Sequence, residues 1–270
     1  MPYLLLALCG LVSGFLAGLL GIGGGLIVVP VLLYLLPLLA VDPTNLSQVA
    51  VATSLAAMVP TAACAAWRQR HHGALDQGWL MRLAPGVAIG ALLASTVATR
   101  LDGRLLSLAL ALLMIPLAGR VFWMKAVDGA ASPAQGASRI AALPAWTVGG
   151  AIGVLSTLAG LGGANFTVSY LLAQRLSIHR AVGTSSGVVL VLACVGAAGF
   201  AASHPAHPLP AVGLVGLVCV PAAAIVALGA ILSAPSGVEW SRRLGERSLR
   251  HVFAGLMLAS ATAVLVRVLQ

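Results

Sequence analysis

Across 270 residues, 60% are hydrophobic, only 8% are charged, and the formal net charge is +9. Too few polar groups remain to cover a water-facing surface, which excludes an ordinary soluble domain and makes a lipid bilayer the solvent for most of the chain. The positive charge does not point to nucleic acid, because the basic residues sit in short segments between apolar runs, where they act as topology signals.

Apolar runs recur near 3–20, 24–39, 46–67, 79–98, 104–123, 145–159, 163–174, 181–202, 209–232 and 249–268. Crossing about 30 Å of hydrocarbon takes roughly 20 such residues in an α-helix, so the pattern predicts an all-α, polytopic membrane protein. The first run lacks the basic flank of a secretory signal peptide, since the first Lys or Arg is Arg68, and it is expected to stay as a membrane segment.

That run leads into Gly21-Ile22-Gly23-Gly24-Gly25. Each glycine weakens a helix by about 1 kcal/mol relative to alanine. In lipid the backbone groups freed by a break cannot reach water, so irregular chain survives only when buried in protein or lining a polar cavity. A helix restarting after such a break, here at Leu26, turns unpaired N–H groups and a partial positive charge toward whatever precedes it, an arrangement suited to an anion. Tight helix packing by small residues is the alternative use of such glycines, and Gly14 and Gly18, four apart, are read that way.

The next run carries Gln48 near its start and Thr53-Ser54 within it. Hydroxyls inside a membrane span can donate to an anion without burying a charge, although they also bond back to a carbonyl one turn earlier. Arg68, Arg70, His71 and His72 follow in a loop, and Pro85 lies in the span after that. Polar residues then cluster between Lys125 and Pro144, giving a linker at 127–143 that separates a first membrane repeat, 1–126, from a second, 144–270.

The second repeat opens on Gly153-Val154-Leu155-Ser156-Thr157-Leu158-Ala159-Gly160-Leu161-Gly162-Gly163-Ala164-Asn165, which aligns without a gap on the thirteen residues from Gly14 to Leu26. His179 and Ala181-Val182-Gly183-Thr184-Ser185-Ser186 answer Gln48 and Ala50-Val51-Ala52-Thr53-Ser54, and Pro221 is matched with Pro85. Cys9, Cys64, Cys194 and Cys219 show no paired spacing and are read as small buried packing residues. The pairs His71/His72 and His204/His207 have no further ligand at metal spacing, so no metal and no cofactor is expected.

Loop charge decides between two topologies. If each glycine-rich segment crosses once, the fifteen Lys and Arg divide seven against eight between the two faces. If each is a hairpin broken at its glycines, twelve lie on one face and only Arg100, Arg104 and Arg267 on the other, as the positive-inside rule requires. Five segments per half then make the halves inverted repeats, with both termini periplasmic and the linker cytoplasmic, the recurring plan of secondary transporters.

No Asp or Glu lies well inside a predicted span: Asp42, Asp76, Asp102, Asp128, Glu239 and Glu246 all belong to loops or span ends. Proton relays and buried cation sites use intramembrane carboxylates, so an anion is the favoured cargo. The expected substrate-binding set is Gly21, Gly23, Gly24, Gly25, Gln48, Thr53, Ser54, Gly160, Gly162, Gly163, Asn165, His179, Thr184, Ser185 and Ser186. An enzyme is disfavoured, since there is no nucleophile elbow, phosphate loop or zinc-protease helix.

Gly18-Leu19-Leu20-Gly21-Ile22-Gly23-Gly24-Gly25 followed by Pro30, its echo at Gly160 to Gly163, and Ala181-Val182-Gly183-Thr184-Ser185 resemble the sulfite exporter TauE/SafE family over the whole chain. The resemblance implies transport of sulfur-containing anions such as sulfite or organosulfonates across a bacterial inner membrane. The chain departs from the family pattern at Ala164, where a third glycine is common, and has Ser169 where Pro30 stands in the first half. The expected partners are a small anion, membrane lipid and a coupling ion, proton or sodium. An anion channel built on the same donors, and a membrane enzyme or assembly partner in sulfur metabolism, are the competing readings, and oligomeric state is left open.

Overall fold

The computed structural model describes residues 2–20, 24–39, 41, 45–101, 143–203, 213–243 and 262. Helices dominate them: α1 (Pro2–Leu20), α2 (Gly25–Leu35) continued by a 3-10 turn (Leu36–Leu39), α3 (Leu46–His71), α4 (Gln77–Ala98), α5 (Ala145–Ala159), α6 (Ala164–Ala173), α7 (Ile178–Ala201) and α8 (Val220–Arg243). Four stretches, within α3, α4, α7 and α8, are long and apolar enough to cross a bilayer. The runs expected at 104–123 and 249–268 and the linker at 127–143 lie outside the described residues.

Large apolar side chains cover the outside. Ile89, Leu92, Leu93 and Val97 stand out from α4 while Leu83, Val87, Ala91, Ala94 and Ala98 are buried on its other side. A helix apolar on both faces is stable only where its outer face meets lipid.

Glycine sets the spacing between helices. In the α1–α8 pair, Gly14 backs onto Ala230 and Gly10 onto the Val226 backbone; a Cβ added to Gly10 would stand 2.5 Å from the Val226 carbonyl oxygen. The α4–α5 pair repeats the device, with Gly86 against Trp146 and Gly153 against Val87. The packing partner of Gly14 on α1 is thus Gly10, whereas Gly18 lines an open cleft.

These contacts also fix direction. Gly10 meets Val226 and Gly14 meets Ala230, so α1 and α8 run the same way; Leu83 meets Gly149 and Val87 meets Gly153, so α4 and α5 do too. Thr53 and Thr61 on α3 lie beside Cys219 and Ala234, which makes α3 parallel to α8. Against α7 the order reverses, with Leu55 beside Gly196 and Cys64 beside Ser186. Because α1 and α3 point the same way, the chain between Leu20 and Leu46 returns through α2.

Two sequence expectations need correction. The run read at 209–232 begins its helix only at Val220, after a short antiparallel pair, β1 (Leu214–Val215) and β2 (Val218–Cys219). Gly213 and Gly216, at φ 86° and 57°, provide left-handed turns that a continuing helix does not tolerate. The match of Pro85 with Pro221 also fails. Pro221 is the second residue of α8 and Pro85 lies far inside α4. Gly86 packs against α5 and Gly229 against α1.

Candidate functional site

The second glycine stretch ends one helix and starts another. Gly160 sits at φ 63°, its N–H donates to the Thr157 carbonyl, and the Leu161 N–H donates to the Ser156 carbonyl, which is the paired ending that left-handed glycine allows. Gly162 and Gly163 follow at φ 72° and 71°, and α6 begins at Ala164. In the first stretch Gly24 caps α2 at φ 76° and the helix begins at Gly25, one residue before Leu26. Gly21 and Gly23 lie outside the described residues.

The two stretches touch. A Cβ on Gly25 would overlap the Gly160 carbonyl oxygen and Met58 Cε, and one on Gly160 would lie 2.7 Å from Val29 Cγ2. Ser54 Oγ donates to the same Gly160 carbonyl over a long 3.5 Å. Met58 is mid-way along α3, roughly 18 Å from either end at 1.5 Å per residue. The meeting point is therefore beside the middle of a membrane-length helix. A narrow, partly open space adjoins it, lined by Ser13, Gly24, Ser54, Met58 and Thr61 among others.

The other hydroxyls turn elsewhere. Thr53 Oγ1 accepts the Cys219 N–H at 3.0 Å, and Thr184 Oγ1 accepts the Asp76 N–H at 3.0 Å while donating to the Arg180 carbonyl at 2.7 Å. The two threonines thus hold the chain entering α8 and α4, each reaching a backbone N–H more than 100 residues away in the chain. Asp76 caps α4 by accepting the Trp79 N–H, and its carboxylate lies 3.6 Å from Arg180. Ser185 and Ser186 both donate back to the Val182 carbonyl.

Replacing Thr53 by valine leaves the buried Cys219 N–H without its acceptor, a loss of about 1–3 kcal/mol. Thr53→Val and Thr184→Val are accordingly expected to melt several degrees below the parent in a detergent thermal scan. Unchanged melting in both would show that the braces carry no stability.

Gln48 and His179 do not join this centre. Gln48 Nε2 donates to the Leu101 carbonyl at 2.8 Å near the start of α3, and His179 is exposed at the start of α7. Asn165 occupies the first turn of α6. Two residues that were not singled out stand closer. Ser156 and Thr157 are fully buried, and their hydroxyl oxygens have no hydrogen-bond partner. A Cβ on Gly163 would come 2.5 Å from Ser156 Oγ, so this hydroxyl lies at the N-terminus of α6, where first-turn N–H groups lack helical acceptors. The aligned repeat carries the clue: Ser156 and Thr157 stand opposite Ala17 and Gly18.

The centre thus holds neutral donors and left-handed backbone, and among the described residues no carboxylate lines it. Such an environment favours a negative charge over a positive one.

The family model described as "Sulfite exporter TauE/SafE" matches residues 6–264. A "Probable membrane transporter protein" of Haemophilus influenzae is 31% identical over 260 residues, covering 96% of each chain. No solved structure matches.

Proposed function

Since the chain belongs to the sulfite exporter TauE/SafE family, we propose that it is a secondary transporter carrying a small sulfur-containing anion, sulfite or an organosulfonate, across the bacterial inner membrane by alternating access. The observation that carries this reading is the contact of Gly25 with the Gly160 carbonyl beside the middle of α3. Backbone donors around Gly24 and Gly163, with the hydroxyls of Ser54, Ser156 and Thr157, are the groups that hold the anion.

Helix direction supports two inverted repeats, 1–126 and 144–270. The equivalent helices α3 and α7 are antiparallel, which is what a two-fold axis lying in the membrane plane produces. Both termini then face the periplasm.

A difference between the two ends supports alternating access. On one side Ala65, Arg68 and Ser186 line an open cleft. At the repeat-related positions, Gly196 packs against Leu55 at 3.0 Å for an added Cβ, and Gly199 closes on Ser95. One mouth is open while its counterpart is shut.

Proteoliposomes test the reading. Labelled sulfite, a short alkylsulfonate and a carboxylate are supplied in turn, with unlabelled anion inside or absent. A carrier gives saturable uptake that accelerates when the inside is preloaded. Linear, non-accelerated flux would identify a channel, and no flux of any anion would end the proposal.

A further inference from the structure

One face of α3 leads from the glycine contact to the end of the helix. Ser54, Met58, Thr61, Ala65 and Arg68 follow at steps of three or four, the spacing that keeps side chains on one side of a helix. Ser54, Met58 and Thr61 belong to the inner cavity, and Thr61, Ala65 and Arg68 to the open cleft between α1, α3, α7 and α8. Thr61 and Ala17 line both, so the two spaces are consecutive. The cleft holds about 470 Å³ of empty space, its mouth included.

Among the described residues Arg68 is the one charged group on this wall; its other members, such as Ala62, Val189, Ala234 and Pro235, are mostly apolar. Among the described residues no carboxylate pairs with Arg68, and the ion pair seen there joins Arg180 to Asp76. With no carboxylate paired to it among the described residues, a cation on an apolar, partly enclosed wall acts through a lower effective dielectric than one in bulk water, and clefts of that kind raise the local concentration of counter-ions. The repeat-related position is Gly199, packed against Ser95, so that position carries no cation.

The geometry points to Arg68 as the loading residue for the transported anion, which enters beside the guanidinium and passes along the α3 face to the hydroxyls at Gly24. This inference rests on the carrier reading above. It assigns Arg68 a role beyond fixing orientation in the membrane, and Arg70, exposed on the same helix end, serves as its control.

Cys64 lines the cleft and is partly exposed, so its thiol reports the charge at the mouth without any transport measurement. Full-length protein in detergent is treated with anionic 2-sulfonatoethyl methanethiosulfonate or the cationic trimethylammonioethyl reagent, and labelling of Cys64 is followed by peptide mass spectrometry. The parent is expected to favour the anionic reagent by roughly tenfold relative to Arg68→Gln. Arg68→Glu reverses the preference, and Arg70→Gln leaves it as in the parent. In proteoliposomes Arg68→Gln raises the half-saturation concentration about tenfold at similar maximal flux, with Arg68→Lys in between.

A reagent ratio unchanged by Arg68→Gln would overturn the inference even if anion transport is found. So would an unchanged half-saturation concentration. If instead the ratio depends on Arg68 but no anion is carried, the mouth stands as an anion-attracting cleft and the carrier reading falls.

Discussion

Gly25→Ala is expected to reduce anion uptake at least tenfold while folded protein can still be purified. The new methyl group would occupy the space of the Gly160 carbonyl oxygen and of Met58 Cε. Met58 is the end of a flexible side chain and can swing aside, but the Gly160 carbonyl is backbone held by the paired ending of α5. Overpacking of this kind costs about 1–3 kcal/mol and is relieved by moving backbone. Here that movement separates the two glycine stretches. The double variant Gly25→Ala/Met58→Ala removes the side-chain overlap alone and is expected to stay defective. Restored uptake in the double variant would mean that the contact between the stretches has no part in transport.

Gly86→Ala has the larger effect on stability. Its methyl group would overlap the Trp146 carbonyl oxygen and come 2.8 Å from the Gly150 nitrogen, so α4 and α5 must part. A loss of about 2–3 kcal/mol lowers the melting temperature by roughly 5–10 °C in a chain of this size. Gly150→Ala, across the same interface, meets its nearest atom only at 3.8 Å. It gains the helix preference of alanine, worth up to about 1 kcal/mol, and should melt at or above the parent temperature. Equal melting of the two variants would show that the helices are not held at backbone contact.

The helical, membrane-spanning character was legible because it depends on composition and run length, and the helix end at Ala159 because a glycine cluster follows it. The start of α8 was misplaced. Apolar residues continue through Leu214 and Val218, and hydropathy does not separate a short β pair from a helix where only the backbone turns of Gly213 and Gly216 differ. Partnership was least legible. Spacing alone offers the Thr53 and Thr184 hydroxyls either to an anion or to a carbonyl one turn earlier, yet each accepts a backbone N–H far away in the chain. Nothing in local spacing reveals a partner so distant in the chain. Ser156 and Thr157 carry no such signal, since Ala17 and Gly18 stand at the aligned positions.

The reciprocal pairing of helices has a consequence for biogenesis. Among the described helices α1 is the first to leave the ribosome, and its partner α8 is the last. The glycine face of α1 therefore waits in the bilayer with its packing surface unfilled until nearly all of the chain is inserted. On the proposed division into two repeats, each half completes the other's outermost helix pair, so neither is expected to fold alone. Halves made as separate polypeptides should be degraded singly and rescued when produced together, and a pause in synthesis before α8 should leave the protein open to membrane proteases.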